Sequence, residues 1–436
     1  MSHRTLLEHF AAVMAAARPL PAEVVPVSPA ACGRVLAAAA TARLPIPPFS
    51  NSAMDGFLVR SADVTSVPVT LPVAGDVPAG AAPQEVPAGH AVRIMTGAPI
   101  PEAAVDSGTL QVIPVELTDI PAGPHPLPAT VSITEAPARR HIRPRGDNLQ
   151  PGDVAAPAGA TVDAGTLAAL ISAGVPDINV HRLPRVAIVA SGDELTSGAA
   201  EESAALRPGQ LPDSNGPMLA ALVHAALVPA AHGTMGGADD TPRPQITCTR
   251  AGDSATALAE LLDELAATHD VILTTGGVSA GAFDVVHATI EPHCPDAWFG
   301  HVAHKPGAPQ GLATWNGVPV LCLPGNPVAA FMSFHLYVTS FLRVLAGAPA
   351  MTDPWSRPFT MATAASDFPA PRDERTLLVP VRLDFSTGTP YARPYNNTRL
   401  GSHMVASLAG TTAFAALTQP VRAGDSVPIY FYEASI

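Results

Sequence analysis

Thr274-Thr275-Gly276-Gly277-Val278-Ser279-Ala280-Gly281-Ala282-Phe283-Asp284 follows directly on the apolar run Val271-Ile272-Leu273. A short apolar run ending in glycines reads as a fully buried strand of a parallel sheet. The glycines behind it let backbone amides come close to a ligand, and a helix is expected to begin near Asp284. A strand that empties through a Gly/Ser/Thr loop onto a helix start is a phosphate-binding arrangement. Glycine pairs also follow strands for packing reasons alone, so the companions of this loop decide its meaning.

The same grammar recurs on both sides of it. Residues 186–190 form an apolar run that ends in Ser191-Gly192-Asp193-Glu194, two carboxylates at a strand end. Helical patterns follow at 217–227 and, capped by Asp253-Ser254, to about 267, with Leu258, Leu261, Leu262 and Leu265 on one face. A strand over 318–323 ends in Pro324-Gly325-Asn326-Pro327 and feeds a helix over 328–345. In an open α/β sheet, ligands bind at the carboxyl ends of the strands. Carboxylates there can hold Mg²⁺, glycine amides a phosphate, and a lysine an anion. That set suits a nucleotide or a pyrophosphate linkage.

The lysine is Lys305, in His304-Lys305-Pro306-Gly307-Ala308-Pro309, and it is the only lysine in a chain that otherwise uses arginine. A compact ammonium is a point charge that the planar guanidinium fork cannot copy.

The rest of the chain divides around this domain. An amphipathic helix is expected near the start from Leu6, Leu7, Phe10, Val13 and Met14, then a helical stretch over 29–40 and a proline-dense extended connector. Short β-like pieces at 67–73, 90–95 and 111–116, separated by Pro/Gly turns, read as a small β-rich insertion. Arg139, Arg140, Arg143 and Arg145 cluster behind it, as a solvated face or as positive charge for an anion site. A helix over 165–173 leads back out. From about 348 the pattern is all-β, a small barrel or sandwich. The expected division is 1–50 with 145–182 as a discontinuous linker domain, 51–144 as the insertion, 183–347 as the α/β domain and 348–436 as the C-terminal β domain.

Bulk properties narrow the function. A formal charge of −13 argues against nucleic acid as partner. No run of eighteen apolar residues points to a membrane span. Cys32, Cys248, Cys294 and Cys322 lack any paired spacing and read as reduced thiols of a cytoplasmic protein. The fifteen histidines form no recognised zinc spacing.

Taken together and in order, seven motifs resemble those of the molybdopterin molybdenumtransferases, whose relatives include the E domain of gephyrin. They are Asn51-Ser52-Ala53-Met54-Asp55-Gly56, Arg93-Ile94-Met95-Thr96-Gly97-Ala98-Pro99, Arg145-Gly146-Asp147, Ser191-Gly192-Asp193-Glu194-Leu195, the 276–284 loop, Lys305-Pro306-Gly307 and Leu323-Pro324-Gly325-Asn326-Pro327. The resemblance implies an α/β plus β multidomain fold: a three-layer α/β domain like that of molybdopterin adenylyltransferases, a β-rich insertion and a C-terminal β domain. It implies a homodimer and a Mg²⁺-dependent reaction in which molybdate is inserted into adenylylated molybdopterin and AMP leaves. Other proteins of molybdenum cofactor biosynthesis, or molybdoenzymes, are its implied further partners.

Carried over residue by residue, Asp55 and Thr96 match positions facing the partner subunit's active site. Glu194 and Asp284 match carboxylates that hold Mg²⁺ or position the attacking water. Asp253 fits a third carboxylate at a helix start, with Asp239 or Asp240 as the competing alignment. Lys305 matches a lysine beside the bound anion. Gly276, Gly277, Ser279, Gly281, Pro306, Gly307, Pro324, Gly325, Asn326 and Ser402 match the pterin-nucleotide pocket.

Four departures stand out. His301 and Ala308 replace lysines of the oxyanion loop, Pro380 falls where a pocket arginine is expected, and the segment around 102–116 is longer than usual. Arg375 and Arg382 are close enough in sequence to substitute for that arginine. A tungstate-selective paralogue and a non-catalytic carrier or scaffold are the alternatives these departures raise.

Overall fold

The computed structural model describes residues 2–196, 206–228, 243–279, 284–386, 388–395 and 401–432. Gly281, Asp239 and Asp240 lie outside the described residues. The chain forms two compact units. One comprises Met1–Ala37, Gly159–Asp163 and Asn179–Ile436, the other Ala38–Ala158 and Ala164–Ile178.

The first unit is built on a seven-stranded sheet: β1 (Ser2–Arg4), β2 (Val186–Ser191), β3 (Ile246–Ala251), β4 (Val271–Thr275), β5 (Trp298–Val302), β6 (Pro309–Trp315) and β7 (Val318–Leu323). The order is β1-β5-β6-β7-β4-β2-β3. Only β6 runs against its neighbours, so β3, β2, β4 and β7 all finish on one edge.

Every residue of β2 and β4 is buried, as expected of strands covered on both faces. Alternate residues serve opposite layers. Val186, Ile188, Val271 and Leu273 pack against helices Leu6–Ala16, Asn215–Leu227 and the 327–345 helix. Ala187, Val189 and Ile272 pack against Leu258, Leu262, Val286 and Ile290 of helices Ala255–Ala266 and Val285–His293. This is the expected three-layer α/β domain. Caps set the helix starts: Thr5 and Glu8 form a capping box, and Ser254 Oγ accepts from the Ala257 amide at 3.3 Å.

One local expectation is corrected, and two features were not foreseen. The 29–40 stretch is helical only over Pro29–Ala31, because strand-like bonds from the Gly33 amide to Val162 O and from Leu36 to Ala160 O, both 2.9 Å, override alanine's helix propensity. The 328–345 helix contains a five-residue π segment, Phe334–Val338, between Pro327–Ser333 and Thr339–Leu345. It is the one described helix long and apolar enough to cross a bilayer, yet 89% of its most apolar window is buried inside the protein. Finally, β1, β3, β5 and β6 extend the sheet where no strand was expected.

The C-terminal strands Phe359–Ala364, Thr376–Asp384, Tyr391–Pro394, Ala413–Leu417 and Ser426–Phe431 close on themselves. Closure follows because 376–384 pairs with both 391–394 and 413–417, which decides for a barrel over a sandwich. His304 and Lys305 pair in parallel with Thr376 and Leu377.

The second unit holds a five-stranded sheet in the spatial order Leu110–Pro114, Gly56–Arg60, Ala91–Ile94, Val69–Val77, Thr130–Ile133. This is the expected β-rich part. All four cysteines are free thiols.

Candidate active site

At the shared edge of β3, β2, β4 and β7 the loops touch one another. The Gly276 amide donates to Leu323 O at 3.2 Å. A Cβ on Gly276, whose φ is +94°, would lie 2.8 Å from Ser191 O, and one on Gly325 would lie 3.2 Å from Gly276 Cα. Only glycine fits this crossing, where side chains give way to backbone. Behind it the His287 amide donates to Gly277 O at 2.9 Å. The glycine turn therefore rests on the start of helix Val285–His293, whose N-cap is the half-buried Asp284.

Asp193 does not point away as a spare carboxylate: its Oδ1 accepts from the Asp253 amide at 3.1 Å. Glu194 is exposed, with its carboxylate lying back over Gly192. Glu194, Asp253, Asp284 and the glycine pair thus share one edge, and the half-buried Ser279 continues the Gly276-Gly277 turn.

Asn215 is the residue the sequence reading missed. It is buried, and its Nδ2 donates to Thr275 Oγ1 at 2.9 Å and to Gly325 O at 2.7 Å. Thr275 Oγ1 in turn donates to Pro324 O at 3.0 Å. One amide therefore ties the two glycine loops together. The signal available was Asp213-Ser214-Asn215, which reads as an ordinary helix cap.

The Pro324-Gly325-Asn326 loop also forms a wall of an adjoining pocket of about 430 Å³. Lys305, Pro306, Gly307, Asn326, Arg375 and Ser402 line it, so the expected pocket residues from the β7 loop, the lysine loop and the barrel are brought together. The lysine loop is fixed from beneath. Buried His304 bonds Pro306 O at 2.8 Å, and Gln310 Nε2 donates to Gly307 O at 2.7 Å. A Cβ on Gly307, at φ +97°, would meet Ser333 Oγ at 3.0 Å.

Of the two arginines near Pro380, Arg375 reaches this pocket. Arg382 instead donates to the carbonyls of Ser407 and Ala409, and Pro380 itself is buried in the barrel wall opposite Phe414. Arg375 pairs with Asp373 at 2.5 Å. Its side-chain and backbone hydrogen bonds hold the Asp373 carboxyl down at about 2.

In the second unit Asp55 Oδ1 accepts from the Thr96 amide at 2.6 Å and from Thr96 Oγ1 at 2.8 Å. These two bonds hold the Asp55 carboxyl below its ordinary range. Asp55 lines a cavity of about 590 Å³ with Asp76, Arg93, Glu116 and His125. Of the arginine cluster, Arg140 donates to the carbonyls of Leu110 and Val105, a structural use.

Among the described residues no three His, Cys, Asp or Glu side chains converge as a metal cage. Glu194 and Asp284 are hard oxygen donors by type, both on this strand edge. That donor set fits Mg²⁺, which is held by one or two carboxylates together with substrate phosphates rather than by an all-protein cage.

Comparison with known proteins agrees with this geometry. The profile "MoeA N-terminal region (domain I and II)" matches residues 4–174, "Probable molybdopterin binding domain" residues 187–344, and "MoeA C-terminal region (domain IV)" residues 361–432. Molybdopterin molybdenumtransferase 2 of Mycobacterium tuberculosis is 34% identical over 399 residues, covering 88% of this chain and 89% of the relative. Molybdopterin molybdenumtransferase of Nostoc is 33% identical over 326 residues, 73% of this chain and 68% of the relative. In fold, the crystal structure of the molybdopterin biosynthesis moeA protein of Pyrococcus horikoshii superposes with a TM-score of 0.77 at 23% identity, covering 99% of this chain and all of that one. With a relative 34% identical along 88% of the chain, the protein belongs to the molybdopterin molybdenumtransferase family.

Proposed function

We propose that the protein inserts molybdate into adenylylated molybdopterin with release of AMP, in molybdenum cofactor biosynthesis. The observation that carries this reading is the shared Pro324-Gly325-Asn326 loop. On one side Gly325 touches the Gly276-Gly277 turn, and on the other Asn326 lines the pocket of Lys305 and Arg375. A phosphate-binding turn and a cationic pocket that share a wall suit a substrate with a pyrophosphate at one end and an oxyanion beside it.

In this reading the backbone amides of Gly276 and Gly277 cradle the pyrophosphate, helped by the start of helix Val285–His293. Glu194 and Asp284 would hold Mg²⁺, which when bound neutralises phosphate charge. Asp284 also orients the water that attacks the anhydride. Asp253, its amide fixed by Asp193, stands third at the edge. Lys305 and Arg375 hold the oxyanion, and Ser402 borders the pterin. The arginine lost at 380 is replaced in this pocket by Arg375.

Asp55 and Thr96 belong to the other compact unit and complete the site of a partner subunit, so the working form is a homodimer. Four free thiols suit a reducing, cytoplasmic setting. The chain works as four parts, with the divisions given by its sequence.

The test is AMP release by the purified protein from adenylylated molybdopterin with Mg²⁺, comparing molybdate, tungstate and no oxyanion. Molybdate-dependent release that falls by at least about 100-fold in Asp284→Ala is expected. Pterin binding without release under any oxyanion would replace this reading with a carrier, and release with tungstate alone would change the oxyanion assigned.

A further inference from the structure

Away from the shared strand edge, the first unit carries a second cationic pocket of about 390 Å³, lined by Glu23, Arg34, Arg182, Arg185, Arg243 and Gln245 among others. Three of these arginines are held in place by two carboxylates. Asp270, with only 7% of its side chain exposed, takes Arg182 at 2.6 Å and Arg185 at 2.9 Å. The Arg182 fork is bidentate, with its second bond at 2.7 Å. The Arg185 amide also donates to Asp270, at 2.8 Å. Burial alone would raise the Asp270 carboxyl, but the bonds from Arg182 and Arg185 outweigh it and hold it well below the usual carboxylate range. Asp270 therefore stays a single negative charge shared by two guanidinium groups.

Arg34 lines the same pocket. Its side chain is 4% exposed, it pairs with Glu23, and its Nη2 donates to His181 O at 2.7 Å. Its Nε is buried with no acceptor at all. Leaving a charged donor buried and unpaired is costly, and such a group marks either strain or a ligand that is to be met. Arg34, Arg182 and Arg185 against Glu23 and Asp270 leave a net positive charge, in a chain whose overall charge is −13. In a protein this acidic, a concave wall of forks pre-set by a buried carboxylate is a local inversion of sign. Nothing in the reading of the molybdopterin site uses it.

We propose that this pocket is a second anion site, which binds a tetrahedral dianion through the guanidinium forks of Arg34, Arg182 and Arg185. The ligand class is a phosphate group, free or carried as a monoester. Forks already oriented by Asp270 lose little freedom on binding, which favours recognition of planar pairs of phosphate oxygens over simple charge neutralisation.

The experiment is calorimetric titration of the full chain with inorganic phosphate, AMP and adenosine, at low ionic strength, in the Lys305→Ala background and counting only the binding that Arg185→Gln removes, because the Gly276-Gly277 turn and Arg375 can still take a phosphate there. Saturable binding of phosphate is expected, with none for adenosine. Tighter binding of AMP than of phosphate would identify the monoester as the preferred source, and equal or weaker binding the free ion. The affinity should fall at least 10-fold in Arg185→Gln and in Arg34→Gln. It should fall measurably in Arg185→Lys too, which keeps the charge but removes the fork. Circular dichroism melts of each variant separate a lost site from a lost fold. No saturable phosphate binding in a folded protein, or binding indifferent to Arg185→Gln and Arg34→Gln, would overturn the proposal. Neither result bears on molybdate-dependent AMP release, which is assayed on the unaltered chain.

Discussion

The imidazole of His304 bonds the carbonyl of Pro306 through Nδ1 at 2.8 Å, directly beneath the lysine loop. A carbonyl only accepts, so Nδ1 carries the proton and Nε2 is bare. Nε2 is buried without a partner, and burial keeps the ring neutral, with its pKa lowered to about 4. One residue thus fixes the turn that presents Lys305. His304→Phe should remove the donor, leave Pro306 O unpaired and cost about 1–3 kcal/mol in urea unfolding. AMP release should fall with it. His304→Asn, whose amide nitrogen sits near the Nδ1 position, should recover most of both. Equal behaviour of the two variants would show that His304 acts through volume alone.

The pH dependence of stability follows from three histidines buried in neutral form. Burial lowers His9 and His335 to about 3 and His304 to about 4, against 6.5 for the unfolded ring. Below pH 6.5 the unfolded chain takes up protons that the folded chain refuses, so stability is full above that pH and is lost as pH falls toward 4. Each ring contributes at most about 1.4 kcal/mol per pH unit over that window. His335 stacks on Tyr432 at 4.1 Å, so His335→Phe keeps the stacking and should remove one ring's share, about a third of the combined slope of the three. Urea midpoints at pH 7.5, 6 and 5 would check it. A midpoint unchanged down to pH 5 would contradict the neutral burial of these rings.

How far the sequence could be read depended on whether a residue's neighbours in the fold are also its neighbours in the chain. β4 and β7 were legible because a buried parallel strand is a continuous apolar run, and the glycine after each is required by a crossing between loops. β5 and β6 were not. Gly300, His301 and Pro309 interrupt their apolar pattern, and the reversal of β6 leaves no mark in composition. The 29–40 stretch misled because alanine propensity is local, whereas the bonds that hold it run to Ala160 and Val162. The π segment was invisible because Phe334 to Val338 are buried on every side, so no polar stripe exists to go out of phase. At the site, the carboxylates and glycines came from recognisable motifs. Asn215 did not, since its value lies in reaching Thr275 and Gly325.

Asp55 and Thr96 stand 41 residues apart and meet through two hydrogen bonds to one carboxylate oxygen. Thr96→Val removes the hydroxyl bond and keeps the amide bond. The Asp55 pKa should rise, so activity should fall off at a higher pH on the acidic side than in the parent chain. Asp55→Asn should cut AMP release by about 100-fold or more while leaving the urea midpoint nearly unchanged, because the residue is exposed. A mixture of Asp55→Asn and Asp284→Ala chains provides the further check. Recovery of activity in the mixture is expected if each residue serves a different subunit's site, and no recovery would place both roles in one chain.

Arg375 and Arg382 separate by what they hold. Arg375 lines the Lys305 pocket, whereas Arg382 donates to Ala409 O at 2.6 Å and Ser407 O at 3.0 Å. Loss of a charge-assisted bond to an oxyanion is worth about 1.5–3 kcal/mol. Arg375→Ala should therefore raise the molybdate KM by roughly 10- to 100-fold with little change in melting temperature. Arg382→Ala should do the reverse, lowering the melting temperature by several degrees, on the order of 1–2 kcal/mol, with the molybdate KM near its parent value. Asp373→Asn provides the control on the pair itself. It frees Arg375 from a competing carboxylate at 2.5 Å and should lower the molybdate KM. If instead Arg382→Ala carries the KM effect, the cation lost at Pro380 has been replaced from the barrel wall, and the pocket must open toward Ser407 to receive it.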